Sequence, residues 1–405
     1  MSKASTNEFV PEIRFPEFRG HWIQKTLGES FEERSEKNRS DLPLLSLGEN
    51  GLVYQSETAR KDNSNADKSK YLRVAVGDIA YNTMRMWQGR CVCAGIEGIV
   101  SPAYTVCKPK EGVDGLFHYY LFKTQRMIQV FHQNSQGLVS DTLNLKYDSF
   151  SKIKYLIPPT LAEQEKIAQF LSEADEMISA QEQKVESLKA HKKGLMQQLF
   201  PQPGATTPAL RFPGYSGEWE EKTFGELYKK NNIKNDLSFG VDKIISVANM
   251  YFKADANIGD KEYLKSYNVF RLGDIAYEGN KSANYAYGRF VENSIGDGIV
   301  SHVFDVYSPI SKDHCFGYWK YAINYERIMR PVLEKSTIKS TMMTNLIAKD
   351  FLKQKTLVPT PAEQQKIAEC LEAEDRMISV QEQKVESLKT HKKGLMQQLF
   401  PQLQK

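Results

Sequence analysis

Two long segments of the chain carry a hydrophobic pattern that advances in steps of four and three residues. In the first segment these positions hold Ile167, Leu171, Ala174, Ile178, Gln181, Val185, Leu188, Lys192, Leu195 and Leu199. In the second they hold Ile367, Leu371, Glu374, Ile378, Gln381, Val385, Leu388, Lys392, Leu395 and Leu399. Such steps line up along one stripe of a helix, as in the seam of a coiled coil. The pattern predicts two long helices, the first over 163–199 and roughly 55 Å long.

The two helical segments are near-identical copies of each other. Residues 181–202 read QEQKVESLKAHKKGLMQQLFPQ, and residues 381–402 differ from them only in having Thr390 where the first copy has Ala190. The near identity extends to the outer, charged face, which suggests a face that docks two copies of one partner.

Both copies also begin and end with the same signals. Thr160 and Thr360 are predicted N-caps, and Glu163 and Glu363 follow three residues later, as in a capping box. The sequence Phe-Pro-Gln closes both helices, because proline cannot continue the hydrogen-bond ladder.

The midpoint of each predicted helix is a glutamine, Gln181 or Gln381. Antiparallel packing of the two helices would put these glutamines level with each other, where a buried polar pair can fix register. We therefore predict an antiparallel coiled coil with Gln181 and Gln381 as register residues. The alternative is that each helix packs only on its own domain.

The rest of the chain carries weaker echoes of the same duplication. IRFPEFRGHWIQKTLGE (13–29) resembles LRFPGYSGEWEEKTFGE (210–226), and VGDIAY (76–81) resembles LGDIAY (272–277). Short β-prone runs alternate with helical stretches in both parts, which predicts mixed α+β domains. The segments that follow the GDIAY motifs diverge, as expected for related modules that recognise different targets.

These patterns predict a pseudo-two-fold α+β architecture of two globular domains joined by two long helices in an antiparallel coiled coil. A Pro/Gly/Thr-rich linker, PQPGATTPALRFPG, separates the halves. The predicted boundaries are 1–160 for the first domain, 161–202 for the first helix, 203–360 for the second domain and 361–405 for the second helix.

Charge is distributed unevenly between these parts. The whole chain has a net charge of +4. Residues 1–158 and 203–362 each hold 21 Lys and Arg against 18 Asp and Glu, a net +3, whereas the helical segments are neutral or acidic. A polyanion should therefore meet the globular parts. Five unpaired-looking cysteines and the absence of an apolar leader favour a reduced, cytoplasmic setting.

Signatures of catalysis are missing from the sequence. No GxxxxGK[ST] phosphate loop, amino-methyltransferase motif or clustered metal-ligand pattern occurs. Cys91 and Cys93 form a Cys-x-Cys pair without a partner pair, which is typical of ordinary core or surface thiols. We expect a non-catalytic chain without a metal.

The motif P-x-x-x-EQ-x-K-I-A that introduces each long helix, together with the two GDIAY anchors, makes the whole chain resemble the specificity subunit of type I restriction–modification enzymes. The resemblance implies that each globular domain is a target-recognition domain for one half of a bipartite, asymmetric double-stranded DNA site. It implies that the coiled coil sets the spacing of the half-sites. Its implied partners are two methyltransferase subunits, which use S-adenosylmethionine to modify adenine N6, and restriction–translocation subunits.

Candidate DNA-binding residues fall into three groups of basic, amide and aromatic side chains, the types that pair with base edges and phosphates. The first group follows the GDIAY anchors and comprises Asn82, Arg85, Trp87, Gln88, Arg90, Asn280, Lys281, Asn284, Tyr287 and Arg289. The second lies in a polar stretch of the first domain and comprises Lys61, Lys68, Lys70 and Arg73. The third flanks turns before the helices and comprises Gln136, Lys146, Lys335 and Lys339. Arg90 and Arg289 each follow a glycine and are candidate phosphate anchors.

The alternative for these groups is that Trp87 and Tyr287 are core aromatics and that the charges belong to solvated loops. For the whole chain, the main alternative function is a non-catalytic coiled-coil scaffold or adaptor whose globular ends bind proteins. A DNA-mimicking decoy is disfavoured by the basic globular parts, and an enzyme by the missing motifs.

Overall fold

The computed structural model describes residues 10–48, 51–58, 66–139, 142–253, 261–339 and 343–401. The chain divides into two compact units. Unit 1 comprises Met1–Gln183 with Glu382–Lys405, and unit 2 comprises Lys184–Gln381. Each unit therefore combines one globular part with segments of both long helices.

Unit 1 is a mixed α+β unit. Its strands are β1 (Ile23–Thr26), β2 (Phe31–Glu33), β3 (Leu45–Leu47), β4 (Leu52–Tyr54), β5 (Leu72–Val74), β6 (Ile79–Asn82), β7 (Cys91–Cys93), β8 (Gly98–Val100), β9 (Tyr104–Pro109) and β10 (Lys154–Ile157). Its helices are α1 (Leu27–Ser30), α2 (Gly115–Phe122), α3 (Gln125–Asn134), α4 (Tyr147–Phe150) and the first part of α5 (Leu161–Leu199).

Unit 2 repeats this order with one additional hairpin. Its strands are β11 (Glu220–Thr223), β12 (Tyr228–Asn231), β13 (Ile245–Ser246), β14 (Tyr251–Phe252), β15 (Asn268–Phe270), β16 (Ile275–Glu278), β17 (Arg289–Glu292), β18 (Gly298–Val300), β19 (Val306–Pro309), β20 (Thr337–Lys339), β21 (Thr344–Leu346) and β22 (Lys355–Val358). Its helices are α6 (Phe224–Leu227), α7 (Phe316–Ala322), α8 (Glu326–Ser336), α9 (Ala348–Lys353) and the first part of α10 (Pro361–Leu399).

Both units are built on a four-stranded antiparallel sheet with the same strand order. The order is β2-β9-β6-β7 in unit 1 and β12-β19-β16-β17 in unit 2. The GDIAY motifs supply the inner strands β6 and β16, whose side chains are buried on both faces. Inner strands covered on both sides need continuous apolar runs, which explains why this motif persists in both copies.

The glycine and aspartate of each GDIAY motif shape the turn that leads into the inner strand. Gly77 has a φ of 87° and Gly273 a φ of 83°, a left-handed conformation that favours glycine. Asp78 accepts a hydrogen bond from the backbone of Ala75 and pairs with Arg34 at 2.6 Å. The motif thus fixes where the strand begins and, with it, where the following loop emerges.

In each unit, part of one long helix lies antiparallel to part of the other. Within unit 1, Asp175 pairs with Lys392, and Glu182 pairs with Lys389 at 2.8 Å, so residue numbers rise along one helix as they fall along the other. The apolar stripe of α5 and the end of α10 share the unit 1 core, and unit 2 repeats this arrangement with the roles of the helices exchanged. The predicted fold class, with antiparallel pairing of the two long helices, is confirmed.

The start of each long helix departs from the predicted capping box. The Thr160 hydroxyl accepts from the backbone of Glu163 at 3.4 Å, but the Glu163 carboxylate does not return to the cap. It is buried and receives two hydrogen bonds from Arg14, at 2.7 and 2.8 Å, and one from the Trp22 indole at 3.1 Å. Arg211 and Glu363 form the equivalent bidentate pair in unit 2. The two RFP segments, residues 14–16 and 211–213, therefore connect each globular part to the start of its long helix.

The two predicted register glutamines differ in exposure. Gln181 is buried in unit 1, and Gln381 is partly exposed in unit 2. Their role in fixing register stays a prediction.

Candidate nucleic-acid interface

The loop between β6 and β7 is ordered by its apolar members and leaves its polar members exposed. Asn82 accepts a hydrogen bond from the backbone of Met84 at 2.9 Å, which starts the loop as an Asx turn. Met86 is fully buried in the short 3-10 helix Met86–Gln88. Trp87 donates to the carbonyl of Met84 at 3.0 Å and packs edge-on against His132 of α3. Trp87 is therefore an anchor of the loop.

Three side chains of this loop point into solvent from that anchored backbone. Arg85, Gln88 and Arg90 are exposed. Within the part of the chain that the structure describes, none of the three makes a side-chain hydrogen bond or ion pair. Because the backbone beneath them is held, a ligand that binds these side chains does not have to order the loop as well.

The thiols that follow the loop belong to the core. Burial raises the pKa of Cys91 to about 11 and the pKa of Cys93 to about 12. Both are therefore protonated at neutral pH and make poor metal ligands. No group of three or more His, Cys, Asp or Glu side chains in the described ranges is arranged to hold a metal ion.

A second segment of unit 1 lies directly beside the β6–β7 loop. The backbone of Leu145 donates to the carbonyl of Thr83 at 2.8 Å. This segment carries two predicted residues: Gln136, whose backbone pairs with Asn144, and Lys146, which precedes α4; both are exposed. The structure thus brings the first and third candidate groups of the first domain together.

The corresponding loop of unit 2, between β16 and β17, is arranged similarly. Its exposed members are Asn280, Lys281 and Asn284. The backbone of Asn280 bridges to Met343, and Thr344 donates to the carbonyl of Gly279 at 2.9 Å, so the loop lies against the β20–β21 hairpin.

The hairpin and the helix α8 before it carry the third candidate group of unit 2. Lys335 is exposed in the last turn of α8, and Lys339 ends β20 opposite Thr344.

Two predicted residues of unit 2 are committed to partners inside the unit. The Arg289 guanidinium pairs with buried Glu278 at 2.8 Å and also donates to the carbonyl of Ala248. The Tyr287 hydroxyl donates to Glu334 at 2.7 Å, and its ring packs against the unit 2 core. A phosphate-binding role for Arg289 stays a prediction, and the residue already has a structural one.

The second candidate group lies on a different part of unit 1. Arg73, in β5, pairs with Glu36 and Glu97 at 2.8 and 2.7 Å. Lys68 lies 4.9 Å from the ring centroid of Tyr71, and Lys70 is exposed. Lys61 lies outside the described residues. Paired cations such as Arg73 offer a phosphate less than the unpaired cations of the β6–β7 loop.

Sequence reasoning missed the apolar residues that stand exposed beside these loops. They are Met84, Leu138 and Val139 in unit 1 and Ile338 and Met343 in unit 2. The available signal was an apolar residue set among Ser, Thr, Gly and Asn, where packing needs no such side chain.

Comparison with known proteins identifies sequences that are similar to this chain. Residues 28–190 match the family described as the type I restriction modification DNA specificity domain. The chain is 22% identical over 375 residues to the type I restriction enzyme MjaVIII specificity subunit of Methanocaldococcus jannaschii, and the match covers 82% of each chain. The resemblance recognised in the helix motif and the GDIAY anchors is confirmed.

Solved structures agree with the fold. The type I restriction–modification S subunit from M. genitalium aligns with a TM-score of 0.55 and 14% identity, covering 98% of this chain and 100% of that one. A chain from a structure of complex assembly and conformational transition in a type I R-M system aligns with a TM-score of 0.56 and 13% identity, covering 94% and 97%. In the described residues, no helix is both long and apolar enough to cross a membrane.

Proposed function

We propose that the chain is a specificity subunit of a type I restriction–modification system, a non-catalytic class, and that it reads a bipartite, asymmetric DNA site. Each unit reads one half-site. The observation that carries the proposal is the pair of loops after β6 and β16, which are hydrogen-bonded to a neighbouring segment and hold exposed cationic and amide side chains.

The difference between the two loops supports an asymmetric site. Unit 1 presents Arg85, Gln88 and Arg90, whereas unit 2 presents Asn280, Lys281 and Asn284. Arginine and lysine pair best with guanine, and asparagine and glutamine with adenine, in the major groove; the two loops carry these types in different order and proportion, which favours different bases in the two half-sites.

The near-identical outer faces of the long helices supply the second part of the proposal. We propose that they dock two methyltransferase subunits, to which restriction–translocation subunits join. S-adenosylmethionine belongs to the methyltransferase, and this chain directs it to the adenine in each half-site. The complex works in the cytoplasm, where the DNA is.

A methylation map of genomic DNA tests the proposal. Cells expressing this chain with its methyltransferase are compared with cells lacking only this chain. We expect a bipartite adenine-methylated motif that disappears with the chain. A variant carrying the 280–288 loop in place of 83–90 should change one half of the motif and leave the other half unchanged.

The outcomes separate the proposal from a protein scaffold. Identical maps with and without the chain, from an active methyltransferase, would favour the scaffold or adaptor. A second test is salt, because phosphate contacts make DNA affinity fall steeply with ionic strength, whereas binding to a neutral protein partner would not.

A further inference from the structure

A cavity of about 510 Å³ lies in unit 1 where α3 begins, beside β10 and the end of α10. Its lining includes apolar side chains such as Met127 and Met396. Four cations also line it, against a single acidic residue, Glu12; they are Lys123, Arg126, Lys154 and Lys393. Within the described residues, none of the four cations forms an ion pair. The volume suits a ligand or a short peptide segment, and the charges favour an acidic one.

The first turn of α3 contributes polar groups to this cavity. Arg126 donates to the carbonyl of Pro401 at 2.9 Å, and burial lowers the pKa of its guanidinium. The Thr124 hydroxyl caps the helix by accepting from the backbone of Met127 at 3.3 Å. In the part of the chain that the structure describes, the backbone N–H groups of Gln125 and Arg126 have no acceptor. The start of a helix with such N–H groups is a favourable place for a carboxylate.

The equivalent cavity of unit 2 shows what this kind of site holds. Residues 201–205, the start of the linker, line a smaller cavity there together with Arg327 and Lys355. The side-chain oxygen of Gln202 accepts a hydrogen bond from Arg327. Arg327 is the second residue of α8, as Arg126 is the second residue of α3. A peptide segment without regular secondary structure, which places a polar side chain on the arginine, therefore fits the cavity of unit 2.

Unit 2 also neutralises a cation that unit 1 leaves unpaired. Lys355 pairs with Glu221 at 2.5 Å. The register of β11 with β22 and that of β1 with β10 put Lys154 at the place of Lys355 and Gln24 at the place of Glu221. Unit 1 thus keeps the lysine and has an amide where unit 2 has the carboxylate.

The same exchange occurs at the start of the helix. The first residue of α8 is Glu326, whose charge suits the positive end of a helix, whereas the first residue of α3 is Gln125. The adjoining segments of sequence do not supply the missing charge. Residues 402–405 read QLQK, with no acidic side chain, and residues 1–9 hold one Lys and one Glu. An acidic group for the unit 1 cavity is therefore expected from another molecule.

We propose that the unit 1 cavity binds an acidic, extended segment of a partner protein, in the place that residues 201–205 take in unit 2. A carboxylate of this segment pairs with Arg126 and Lys154 at the start of α3, and an apolar side chain packs on Met396. Only one such segment binds to each chain, because the linker already lines the cavity of unit 2. The two units therefore differ in a protein contact as well as in their loops.

Fluorescence anisotropy of labelled peptides tests this proposal with the full chain. The probe is the linker sequence of residues 201–209 with Gln202→Glu, PEPGATTPA, and the reference peptide is the unchanged PQPGATTPA. We expect the acidic probe to bind roughly ten-fold more tightly than the reference, because it adds a charge pair in a partly enclosed site. Its affinity should fall as the salt concentration rises.

Substitutions taken from unit 2 locate the bound peptide. Gln24→Glu and Gln125→Glu together install the two carboxylates of unit 2 and should abolish the preference for the acidic probe. Gln133→Glu is the matched control, because it lies on the same helix, is exposed and does not line the cavity. It too installs a unit 2 residue, Glu334, the ninth residue of α8. This control should leave both affinities unchanged.

Four results would overturn the proposal. Absence of saturable binding of the acidic probe, or equal affinity of the two peptides, would remove the acidic segment. A preference that survives the two glutamate substitutions would put the peptide elsewhere on the chain. Tight binding that appears only after deletion of residues 402–405 would assign the cavity to a segment of this chain. Displacement of the probe by an equimolar DNA duplex of random sequence would assign the cations to phosphates.

Discussion

Lys192 Nζ lies 2.5 Å from Asp375 Oδ1 in unit 2, where the end of α5 runs beside the start of α10. The same ammonium lies 4.8 Å from the ring centroid of Tyr321, whose hydroxyl donates to Asp375 at 2.6 Å. Unit 1 repeats this three-residue network with Lys392, Asp175 and Tyr120. The lysines that interrupt the apolar seam therefore connect the two helices of a pair to the globular domain of the same unit.

Replacing Lys192 with methionine should destabilise unit 2 by about 1–2 kcal/mol, because the partly buried Asp375 carboxylate loses its nearer cation and keeps only Lys320, at 3.8 Å. Hydrogen exchange over 366–380 in the full chain measures the loss locally. Lys193→Met, at the exposed neighbouring position, is the control and should have little effect. Equal protection in both variants would show that the network adds no stability.

The same network predicts how the stability of unit 2 changes at acidic pH. Burial on its own would raise the pKa of Asp375, but the hydrogen bonds from Lys192 and Tyr321 outweigh it and hold the pKa below the ordinary value of 3.8. The stabilisation is therefore present above pH 3.8 and is lost as the pH falls through the lower, folded-state pKa. The difference in hydrogen-exchange protection between the native chain and Asp375→Asn should become smaller as the pH falls below 3.8. A difference independent of pH would assign the effect of the substitution to packing.

For Glu292 we predict the opposite dependence of stability on pH. Its side chain is buried, Oε2 has no hydrogen-bond partner in the described residues, and burial raises its pKa to about 9. The folded state keeps a proton that the unfolded state releases above an ordinary carboxyl pKa, so unit 2 loses stability as the pH rises from about 5 to 9.

Glu292→Gln should flatten this part of the pH profile and stabilise unit 2 at pH 8. Thermal unfolding across the pH range measures the effect. Glu262→Gln, at an exposed residue paired with Lys265, is the matched control. Parallel profiles for the native chain and Glu292→Gln would show that the carboxyl is ionised in the folded protein.

The long helices could be predicted from the sequence because their signal repeats over many turns and each copy confirms the other. The predicted capping box at Glu163 was wrong. The Glu163 carboxylate pairs instead with Arg14, which is distant in the sequence, and this tertiary contact overrides the local preference. The hydrogen bond from Tyr321 to Asp375 could not be predicted for the same reason, because these residues are also distant in the sequence.

The candidate loops were identified from their position after a repeated anchor, but the roles of individual residues were not. Arg289 lies directly opposite Glu278 across β16 and β17. Strand register decides that pairing, and the sequence alone did not reveal the register. Trp87 was ambiguous in the same way, because its packing on His132 depends on the fold of a distant segment.

Arg289→Ala should lower the stability of unit 2 by about 2–3 kcal/mol, because Glu278 would be left buried without its cation. Urea unfolding measures the loss. Glu278→Gln combined with Arg289→Ala should recover much of it. If Arg289→Ala weakens DNA binding without loss of stability, phosphate anchoring is its main role.

Arg85→Ala should relax one base position in one half-site and weaken binding by about 1–3 kcal/mol, because the side chain is exposed on an anchored loop and has no partner in the described residues. The methylation map reads out the relaxed position. Lys108→Ala, at an exposed lysine paired with Glu32, should leave the motif intact. An unchanged motif in Arg85→Ala would remove the loop from the reading surface.

Removing seven residues around Gln181 and the matching seven around Gln381 should change the distance between the half-sites and leave their sequences intact. A heptad is the natural unit, because it preserves the apolar stripe of each helix. At 1.5 Å per residue the deletion shortens each helix by about 10 Å, or about three base pairs of spacer. The methylation map measures both the spacer length and the two half-site sequences. Deleting seven residues from one helix alone should abolish methylation, because the two stripes would no longer match. A changed half-site with an unchanged spacer would refute helix length as the determinant of spacing.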